Sequence, residues 1–381
     1  MTELSGKPIL IYLKSLSGGA GKSAAQYAST LVSLGHRVTL AAGQVDAGLA
    51  AGLPPQVALT TLGMRAQIPP LGGLVGIIRK LRPGIVLVVG MTNGATLALA
   101  LALARARPLV IHREANAPRA LLASMSPLRR LLGRMSARIA YARADIIICL
   151  TQGMKQEIEA DWRVAPDQLR LIPNGVALPR MAPDPRPLSN PPVILTVARL
   201  SVQKDIPTLL RAFALLRARR EVQLQIAGDG PERTALEALV AELGIAQDVT
   251  FLGHVSDPAP LYHAAHVTVL SSVFEGFPNT LIEALAQGCP VVATDCPTGP
   301  AEVIDSDAVG YLARMRDPED LAAKLEQALD RNFDPAALRA RAEHFSENRL
   351  RERIKRLFET LDGQGASAYR CQMPQHSRSV P

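Results

Sequence analysis

The chain has 381 residues and a net charge of +8, with 48% hydrophobic and 20% charged residues. This length exceeds the usual size of one hydrophobic core and predicts two domains, and the composition is that of a folded globular protein. The longest apolar run, Leu97–Ala104, is far below the roughly 20 residues that cross a bilayer, which excludes a membrane span. With 4% aromatic residues and no nucleic-acid-binding motif, a nucleic-acid partner is not expected.

Cysteine usage and the N-terminal segment both bear on the compartment. The four cysteines, Cys149, Cys289, Cys296 and Cys371, lie far apart and form no Cys-x-x-Cys pair, which favours a reduced compartment. The apolar patch Ile9–Leu13 is too short for the core of a signal peptide. We therefore expect a cytoplasmic protein.

Short runs of Val, Ile and Leu alternate with helical patterns along the first half of the chain, as in parallel βαβ units. The strands predicted there are Pro8–Lys14, Arg37–Ala42, Ile85–Val89, Leu109–His112 and Ile146–Leu150.

A glycine-rich segment, Ser17–Ser23, follows the first predicted strand. Glycine amides beside Lys22 could cradle a phosphate, as in a P-loop. The spacing does not fit, because Leu16 stands where the standard motif has its first glycine and Ser17 where a variant form has its lysine. A P-loop nucleotide hydrolase remains an alternative function, and the roles of Lys22 and Ser23 stay open.

The net positive charge is confined to the first half, where residues 1–176 carry 20 Lys and Arg against 8 Asp and Glu. Within Ser126–Arg143, Arg130, Arg134 and Arg138 recur every four residues, which predicts an amphipathic helix. Its apolar stripe consists of Leu128, Leu131, Leu132, Met135 and Ile139. Two interpretations stay open: an ordinary surface helix, or a helix that lies against anionic lipid head groups.

Residues 177–192 contain six prolines and little periodicity, which predicts an interdomain linker. The strand and helix alternation then resumes. The strands predicted in this half are Val193–Val197, Gln223–Ala227, Val249–Leu252, Val267–Leu270 and Val291–Ala293. The sequence therefore predicts a first α/β domain at 1–176 and a second at 193–348.

Two glutamates, Glu275 and Glu283, lie eight positions apart around the start of a predicted helix. Pro278 suits the first helical turn, which places Phe277 at the N-cap. Phe277 has no side-chain oxygen for the first amides, so these N–H groups suit an anion such as a diphosphate. The alternative is that both glutamates simply face water.

Glu275 and Glu283, followed by the segment Gly288–Thr294, resemble the signature of the retaining GT-B glycosyltransferases of family 4. Further segments agree in the same order, namely Ile172–Val176, Ala198–Asp205, Ala227–Glu232 and Phe251–Val255. The resemblance covers most of residues 8–362 and is strongest from about 170 to 305. It implies an α/β GT-B fold, in which two Rossmann-like parallel-sheet domains face a cleft. It also implies that a helix at about 349–362 returns to the first domain, and we expect 363–381 to be disordered.

The resemblance also implies site residues. Arg199 and Lys204 would stabilise the departing nucleoside diphosphate, Glu275 would contact the transferred sugar, and Glu283 would accept hydrogen bonds from the ribose. His112, at a strand end, would touch the donor sugar or the acceptor. The remaining donor contacts would come from Gly228, Gly230, His254, Val255, Gly276, Phe277, Pro278, Asn279, Thr280 and Leu281. Gly18 and Gly19 would let the backbone approach the acceptor and the donor phosphate.

No metal or other cofactor is expected. Asp305-Ser306-Asp307, in a predicted loop before Gly310-Tyr311, and His263-Ala264-Ala265-His266 are incomplete as metal sites and are interpreted as structural.

The predicted function is retaining transfer of a hexose or N-acetylhexosamine from a nucleotide sugar, with a UDP-sugar favoured. The acceptor would be a glycan or a lipid-linked molecule of cell-surface polysaccharide or glycolipid synthesis. We expect a cytoplasmic protein that contacts the anionic inner membrane face through Arg130, Arg134 and Arg138. The alternatives are the nucleotide hydrolase and a catalytically silent GT-B binding module.

Overall fold

The computed structural model describes residues 6–63, 71–179 and 189–364. The chain divides into two compact units. The first unit comprises Met1–Leu150, Met154–Ile172 and Leu350–Pro381, and the second comprises Thr151–Gly153 and Pro173–Arg349. Much of the predicted linker, 180–188, and the tail from residue 365 lie outside the described residues.

The first unit contains a parallel sheet, which has seven strands over the described residues. They are β1 (Ile9–Leu16), β2 (Val38–Val45), β3 (Ala58–Thr61), β4 (Ile85–Val89), β5 (Leu109–Arg113), β6 (Ile146–Cys149) and β7 (Leu169–Leu171). Their order is β3-β2-β1-β4-β5-β6-β7. This is the strand order of a doubly wound Rossmann sheet with one strand added at an edge.

The second unit contains another parallel sheet, with six strands over its described part. They are β8 (Val193–Val197), β9 (Gln223–Ala227), β10 (Val249–Gly253), β11 (Val267–Leu270), β12 (Val291–Thr294) and β13 (Gly310–Ala313). The order β10-β9-β8-β11-β12-β13 repeats the Rossmann order. Both sheets confirm the predicted pair of Rossmann-like parallel-sheet domains.

Helices connect the strands in both units. In chain order they are α1 (Gly18–Ser33), α2 (Ala47–Ala51), α3 (Leu71–Leu81), α4 (Met91–Ala104), α5 (Pro118–Ala123), α6 (Pro127–Arg143), α7 (Gln152–Trp162), α8 (Ile206–Arg217), α9 (Arg233–Glu242), α10 (Ala259–Ala264), α11 (Asn279–Ala286), α12 (Pro300–Val303), α13 (Pro318–Asp330), α14 (Pro335–Glu343) and α15 (Glu347–Gln364). None of the described helices is long and apolar enough to span a bilayer.

The first sheet is buried on both faces. Because side chains alternate along a strand, Ile9 and Ile11 of β1 enter one core while Leu10 and Tyr12 enter the other. The C-terminal helix α15 packs Ile354 and other apolar residues into the first of these cores. The end of the chain thereby completes a domain that the first third of the chain begins.

Three strands were not predicted, namely β3, β7 and β13. All three lie at sheet edges, are three or four residues long, and lack a continuous run of Val, Ile and Leu. Asp305-Ser306-Asp307 lies in a loop, as predicted, and Gly310 and Tyr311 after it begin β13 and pair with β12.

Candidate functional site

The site predicted from the glutamate motif lies at the switch point of the second sheet. Strands β8 and β11 are neighbours, but the chain leaves them toward opposite edges. In open α/β sheets, ligands bind outside the carboxyl ends of the strands at this position. Arg199 and Lys204 follow β8, and Glu275 follows β11.

Lys204 and Glu275 form an ion pair, with 2.6 Å between Nζ and Oε1. The side chains are 17% and 7% exposed, so water stabilises the two charges little and each is stabilised mainly by the other. Ser272 Oγ also donates to Glu275 Oε1, at 2.5 Å. The fold thus brings together two predicted catalytic residues that are 71 positions apart in the sequence.

The segments that carry this pair are tied to each other by several hydrogen bonds. Ser271 Oγ donates to Lys204 O at 2.8 Å, and Val273 N donates to Gln203 O at 2.9 Å. Gln203 Nε2 returns a bond to Phe274 O at 2.8 Å. These contacts fix the 3-10 turn Val202–Lys204 against the loop after β11, so the lysine is held in position by the backbone.

Thr298 supports Glu275 from a third segment. Its Oγ1 donates to Glu275 O at 2.7 Å, and its backbone has φ of +74°. A β-branched residue is a genuine outlier at positive φ, and such strain is concentrated at functional sites. The following residue, Gly299, has φ of +102°, and a Cβ there would lie 2.8 Å from Pro278 Cδ. Neither role of Thr298 and Gly299 was predicted from the sequence.

The helix α11 begins one residue later than expected. Its N-cap is Pro278 and not Phe277, because Phe277 is buried against Phe345 with 5.4 Å between ring centroids. Pro278 has no side-chain oxygen either, so the start of α11 still lacks a side-chain cap. Asn174 Nδ2 donates to Asn279 Oδ1 at 3.0 Å and so links the Ile172–Val176 motif to the start of this helix.

Glu283 lies within α11 and is partly buried. The hydroxyl of Tyr262, itself 1% exposed, donates to Glu283 Oε2 at 3.0 Å. Burial, followed by the negative charge of Glu283, raises the pKa of Tyr262 well above its ordinary value. The tyrosine therefore stays protonated and orients the carboxylate, a role that the sequence did not indicate.

Gly228 and Gly230 act through the backbone. A Cβ at Gly228 would lie 1.9 Å from Ala198 O, and one at Gly230 would lie 2.2 Å from Leu200 O. Only glycine lets the end of β9 approach the segment that carries Arg199 this closely. Ala198, which stands where the resembled family often has glycine, does not have positive φ.

The other predicted donor residues have mixed exposure. Arg199 and His254 are exposed, and Val255 is half-buried. Gly276 and Leu281 are buried, whereas Asn279 and Thr280 are half-buried at the start of α11. The roles assigned to these residues stay predictions.

His112 lies in a buried polar cluster of the first unit. The residue is 0% exposed, and its Nε2 lies 2.7 Å from Glu114 Oε1. Tyr141 OH donates to the same oxygen at 2.8 Å, and burial raises the pKa of Tyr141 well above its ordinary value. With no exposed atom to offer a ligand, His112 is better suited here to a structural role, and its predicted catalytic role stays untested.

Gly18 and Gly19 lie in the first turn of α1, directly after β1. Gly18 has φ of +57°, and a Cβ at either residue would meet nothing within 4 Å, so this backbone borders open space. A single residue, Ser17, connects strand and helix, which leaves no loop long enough to wrap a phosphate as a P-loop does. Lys22 is exposed, whereas Ser23 is buried and accepts a hydrogen bond from Arg113.

The two motifs considered as incomplete metal sites have other contacts. Asp305 pairs with Arg341 at 2.8 Å, and His266 Nδ1 accepts from Val193 N at 3.0 Å. Within the described ranges, no group of His, Cys, Asp and Glu side chains could hold a metal ion.

Two family models match the chain. Glycosyltransferase Family 4 matches residues 17–180, and Glycosyl transferases group 1 matches residues 181–348. These ranges together contain every described strand except β1, and the whole site described above.

Curated relatives match over shorter spans. The lipopolysaccharide core biosynthesis glycosyltransferase LpsE of Rhizobium meliloti is 32% identical over 240 residues, which cover 61% of this chain and 64% of that protein. The N-acetylgalactosamine-N,N'-diacetylbacillosaminyl-diphospho-undecaprenol 4-alpha-N-acetylgalactosaminyltransferase of Campylobacter jejuni is 29% identical over 203 residues, which cover 52% of this chain and 55% of that protein. The chain spans about half the length of the curated relatives it matches.

Solved structures match over nearly the whole chain. Anabaena HepE in complex with UDP and glucose aligns with a TM-score of 0.75 and 19% identity, covering 93% of this chain and 100% of that one. This likeness shows the fold, and the two family models agree with it. The chain belongs to the GT-B glycosyltransferases.

Proposed function

We propose that the protein transfers a hexose or N-acetylhexosamine from a nucleotide sugar to a glycan or lipid-linked acceptor, with retention of the anomeric configuration. A UDP-sugar is the favoured donor, and the product belongs to a cell-surface polysaccharide or glycolipid. The observation that carries this proposal is the buried Lys204–Glu275 pair at the switch point of the second sheet, followed by Glu283 in α11.

Each charge in this site suits one part of a nucleotide sugar. The carboxylate of Glu283, oriented by Tyr262, accepts hydrogen bonds from the ribose hydroxyls. The uncapped start of α11 offers backbone N–H groups and a positive helix dipole to the diphosphate. Glu275 binds hydroxyls of the transferred sugar, and the base lies near His254 and Val255.

The cations act on the leaving group. As the bond from the anomeric carbon to the diphosphate breaks, negative charge accumulates on the phosphate oxygens. Lys204 has three N–H donors and gives one to Glu275, so others can stabilise this charge together with Arg199. The acceptor oxygen forms its bond on the same face of the sugar, and its proton passes to the departing phosphate. We propose that this chemistry needs no metal ion.

The first unit takes the acceptor. Gly18 and Gly19 present open backbone at the switch point of the first sheet, between the ends of β1 and β4. The relatives in Campylobacter jejuni and Rhizobium meliloti have names that refer to an undecaprenol-linked substrate and to lipopolysaccharide core synthesis. They support a lipid-linked or glycan acceptor and a cytoplasmic protein that works at the inner membrane face.

The direct test is nucleotide release. The protein is incubated with UDP-, GDP- and ADP-sugars, and separately with ATP and GTP, with and without EDTA. We expect release of nucleoside diphosphate from a UDP-sugar, unaffected by EDTA, and no hydrolysis of ATP or GTP. Hydrolysis of ATP or GTP alone would favour the nucleotide hydrolase, and donor binding without turnover across acceptors would favour a silent binding module. Nuclear magnetic resonance of the product would report the anomeric configuration.

A further inference from the structure

The helix α6 exposes its apolar face and packs through its opposite face. Ala137, Ala140 and Tyr141 are its buried residues, and its packing partner is α4. Contact there is close, because a Cβ at Gly94 of α4 would lie 2.6 Å from Ala140 Cβ. The apolar stripe is exposed, with values of 68% for Leu128, 57% for Leu131, 54% for Leu132, 53% for Met135 and 48% for Ile139.

A pocket of about 390 Å³ lies beside α6, where it meets α5 and α7. Three arginines and one aspartate line it, together with Trp162 and two apolar residues of α5. The charged residues are Arg119, Arg130, Arg134 and Asp161. Trp162 packs edge-on against Tyr141, with 5.4 Å between ring centroids, which fixes one wall. The excess of positive charge suits an anion.

The arginines of the pocket differ in what already binds them. Arg119 holds Asp161 through two hydrogen bonds of 2.9 and 2.7 Å, which neutralises the aspartate. Arg130 donates to the carbonyl oxygens of Leu122 and Ala123, at 3.1 and 2.8 Å, at the end of α5. Arg134 makes no hydrogen bond within the described part of the chain, and its charge helps Arg119 to lower the pKa of Asp161, so its N–H donors remain available to a ligand.

The pocket and the apolar stripe are adjacent around α6. Each four-residue step on an α-helix turns about 40° beyond a full turn, so Arg130, Arg134 and Arg138 advance from the buried side toward the leucines. Arg134 therefore lies between the pocket and the apolar stripe. An exposed apolar stripe with cations along its flank matches the interface of a membrane, where apolar side chains enter below the anionic head groups.

We propose that this pocket binds the phosphate of an anionic lipid head group through Arg134, while the apolar stripe of α6 enters the outer part of the bilayer. The inference rests on the peripheral-membrane part of the proposed function and not on glycosyl transfer. It also distinguishes Arg134 from Arg130 within the predicted membrane contact, because Arg130 already donates to carbonyl groups of the protein.

The test is flotation of the full-length protein with vesicles of equal parts phosphatidylcholine and phosphatidylglycerol, compared with phosphatidylcholine alone. The wild type should bind the anionic vesicles. Arg134→Gln should weaken binding more than about tenfold, because it removes both a cation near the anionic surface and its hydrogen bonds to the phosphate. Arg129→Gln removes an exposed arginine on the other flank of the apolar stripe that does not line the pocket, and it should weaken binding by no more than about fivefold, the contribution of one cation near an anionic surface.

A second pair of variants tests insertion. Leu131→Ser/Leu132→Ser should weaken vesicle binding on the order of a hundredfold, because two leucine side chains no longer transfer from water into the bilayer. The control Leu171→Ser/Leu215→Ser changes two exposed leucines elsewhere and should bind like the wild type. Stabilisation by UDP-sugars, followed by melting temperature, should be unchanged in all these variants and reports the donor site separately.

Several results would overturn the inference. Equal binding to both kinds of vesicle would exclude an anionic head group, and equal losses for Arg134→Gln and Arg129→Gln would exclude the pocket. Stabilisation of the wild type by soluble glycerol phosphate without vesicle binding would assign the pocket to a free phosphate compound. A dimer in solution that Leu131→Ser/Leu132→Ser makes monomeric, again without vesicle binding, would assign the stripe to a contact between copies.

Discussion

The helices α6 and α11 both carry an apolar stripe at helical spacing, yet they use it in opposite ways. In α11, Leu281, Ile282 and Leu285 are fully buried, and Glu283 beside them is held by Tyr262. In α6 the leucines are exposed, and small residues make the packing contact. The apolar stripe of α11 is buried within the second unit, whereas that of α6 stays exposed.

The first prediction tests this contrast through matched leucines. Leu285→Ala should lower the free energy of unfolding by about 2–5 kcal/mol, because it leaves a cavity in a packed core. Leu132→Ala should change it by no more than about 0.5 kcal/mol, as at other surface positions. Urea unfolding of both variants provides the measurement. Similar losses for the two would mean that α6 does bury its stripe.

The second prediction concerns Lys204. Lys204→Ala should lower turnover on the order of a hundredfold and should also destabilise the protein by about 3 kcal/mol, because Glu275 is left charged without its partner. The double variant Lys204→Met/Glu275→Gln removes both charges and should recover stability without recovering turnover. Recovery of turnover in the double variant would show that the pair has only a structural role.

The third prediction compares Arg199 with Lys204, since Arg199 is an exposed cation in the same site. Arg199→Ala should lower turnover on the order of a hundredfold while the melting temperature stays unchanged. The measurement is steady-state release of nucleotide together with thermal unfolding. Near-normal turnover would place Arg199 on an ordinary solvated loop, like many surface arginines.

The smallest effects are expected at Tyr262. Glu283→Ala should weaken donor binding by about 1.5–3 kcal/mol, because the ribose loses a charged acceptor. Tyr262→Phe keeps that carboxylate and removes only the hydroxyl that orients it, so the loss should be about 1 kcal/mol. Calorimetric titration with a UDP-sugar measures both. A larger loss for Tyr262→Phe than for Glu283→Ala would contradict the assignment of the ribose contact to Glu283.

The parts of the fold that were predicted are those that local patterns specify. Central strands such as β4 and β8 are continuous apolar runs, and their bounds match the prediction. The edge strands β3, β7 and β13 have three or four residues and contain no continuous run of Val, Ile and Leu, so they leave no such pattern.

The glutamate motif and the uncapped start of α11 were predicted from local patterns, and the rest of the candidate site only through the family resemblance. Lys204 and Glu275 are 71 positions apart, and neither spacing nor periodicity can pair them. Tyr262 and Thr298 act through tertiary contacts and a strained backbone, which leave no local signal. The orientation of α6 was left open by the sequence, although Gly133, Ala137 and Ala140, at helical spacing, mark a second possible packing face.

The central claim is that the second unit binds a nucleotide sugar through Glu283 and the Lys204–Glu275 pair. The most direct measurement is the melting temperature of wild type and Glu283→Ala with UDP-, GDP- and ADP-sugars, since a ligand stabilises the folded state that binds it. We predict the largest increase for wild type with a UDP-sugar and a much smaller increase for Glu283→Ala. No increase with any nucleotide sugar, or equal increases for both proteins, would contradict the claim.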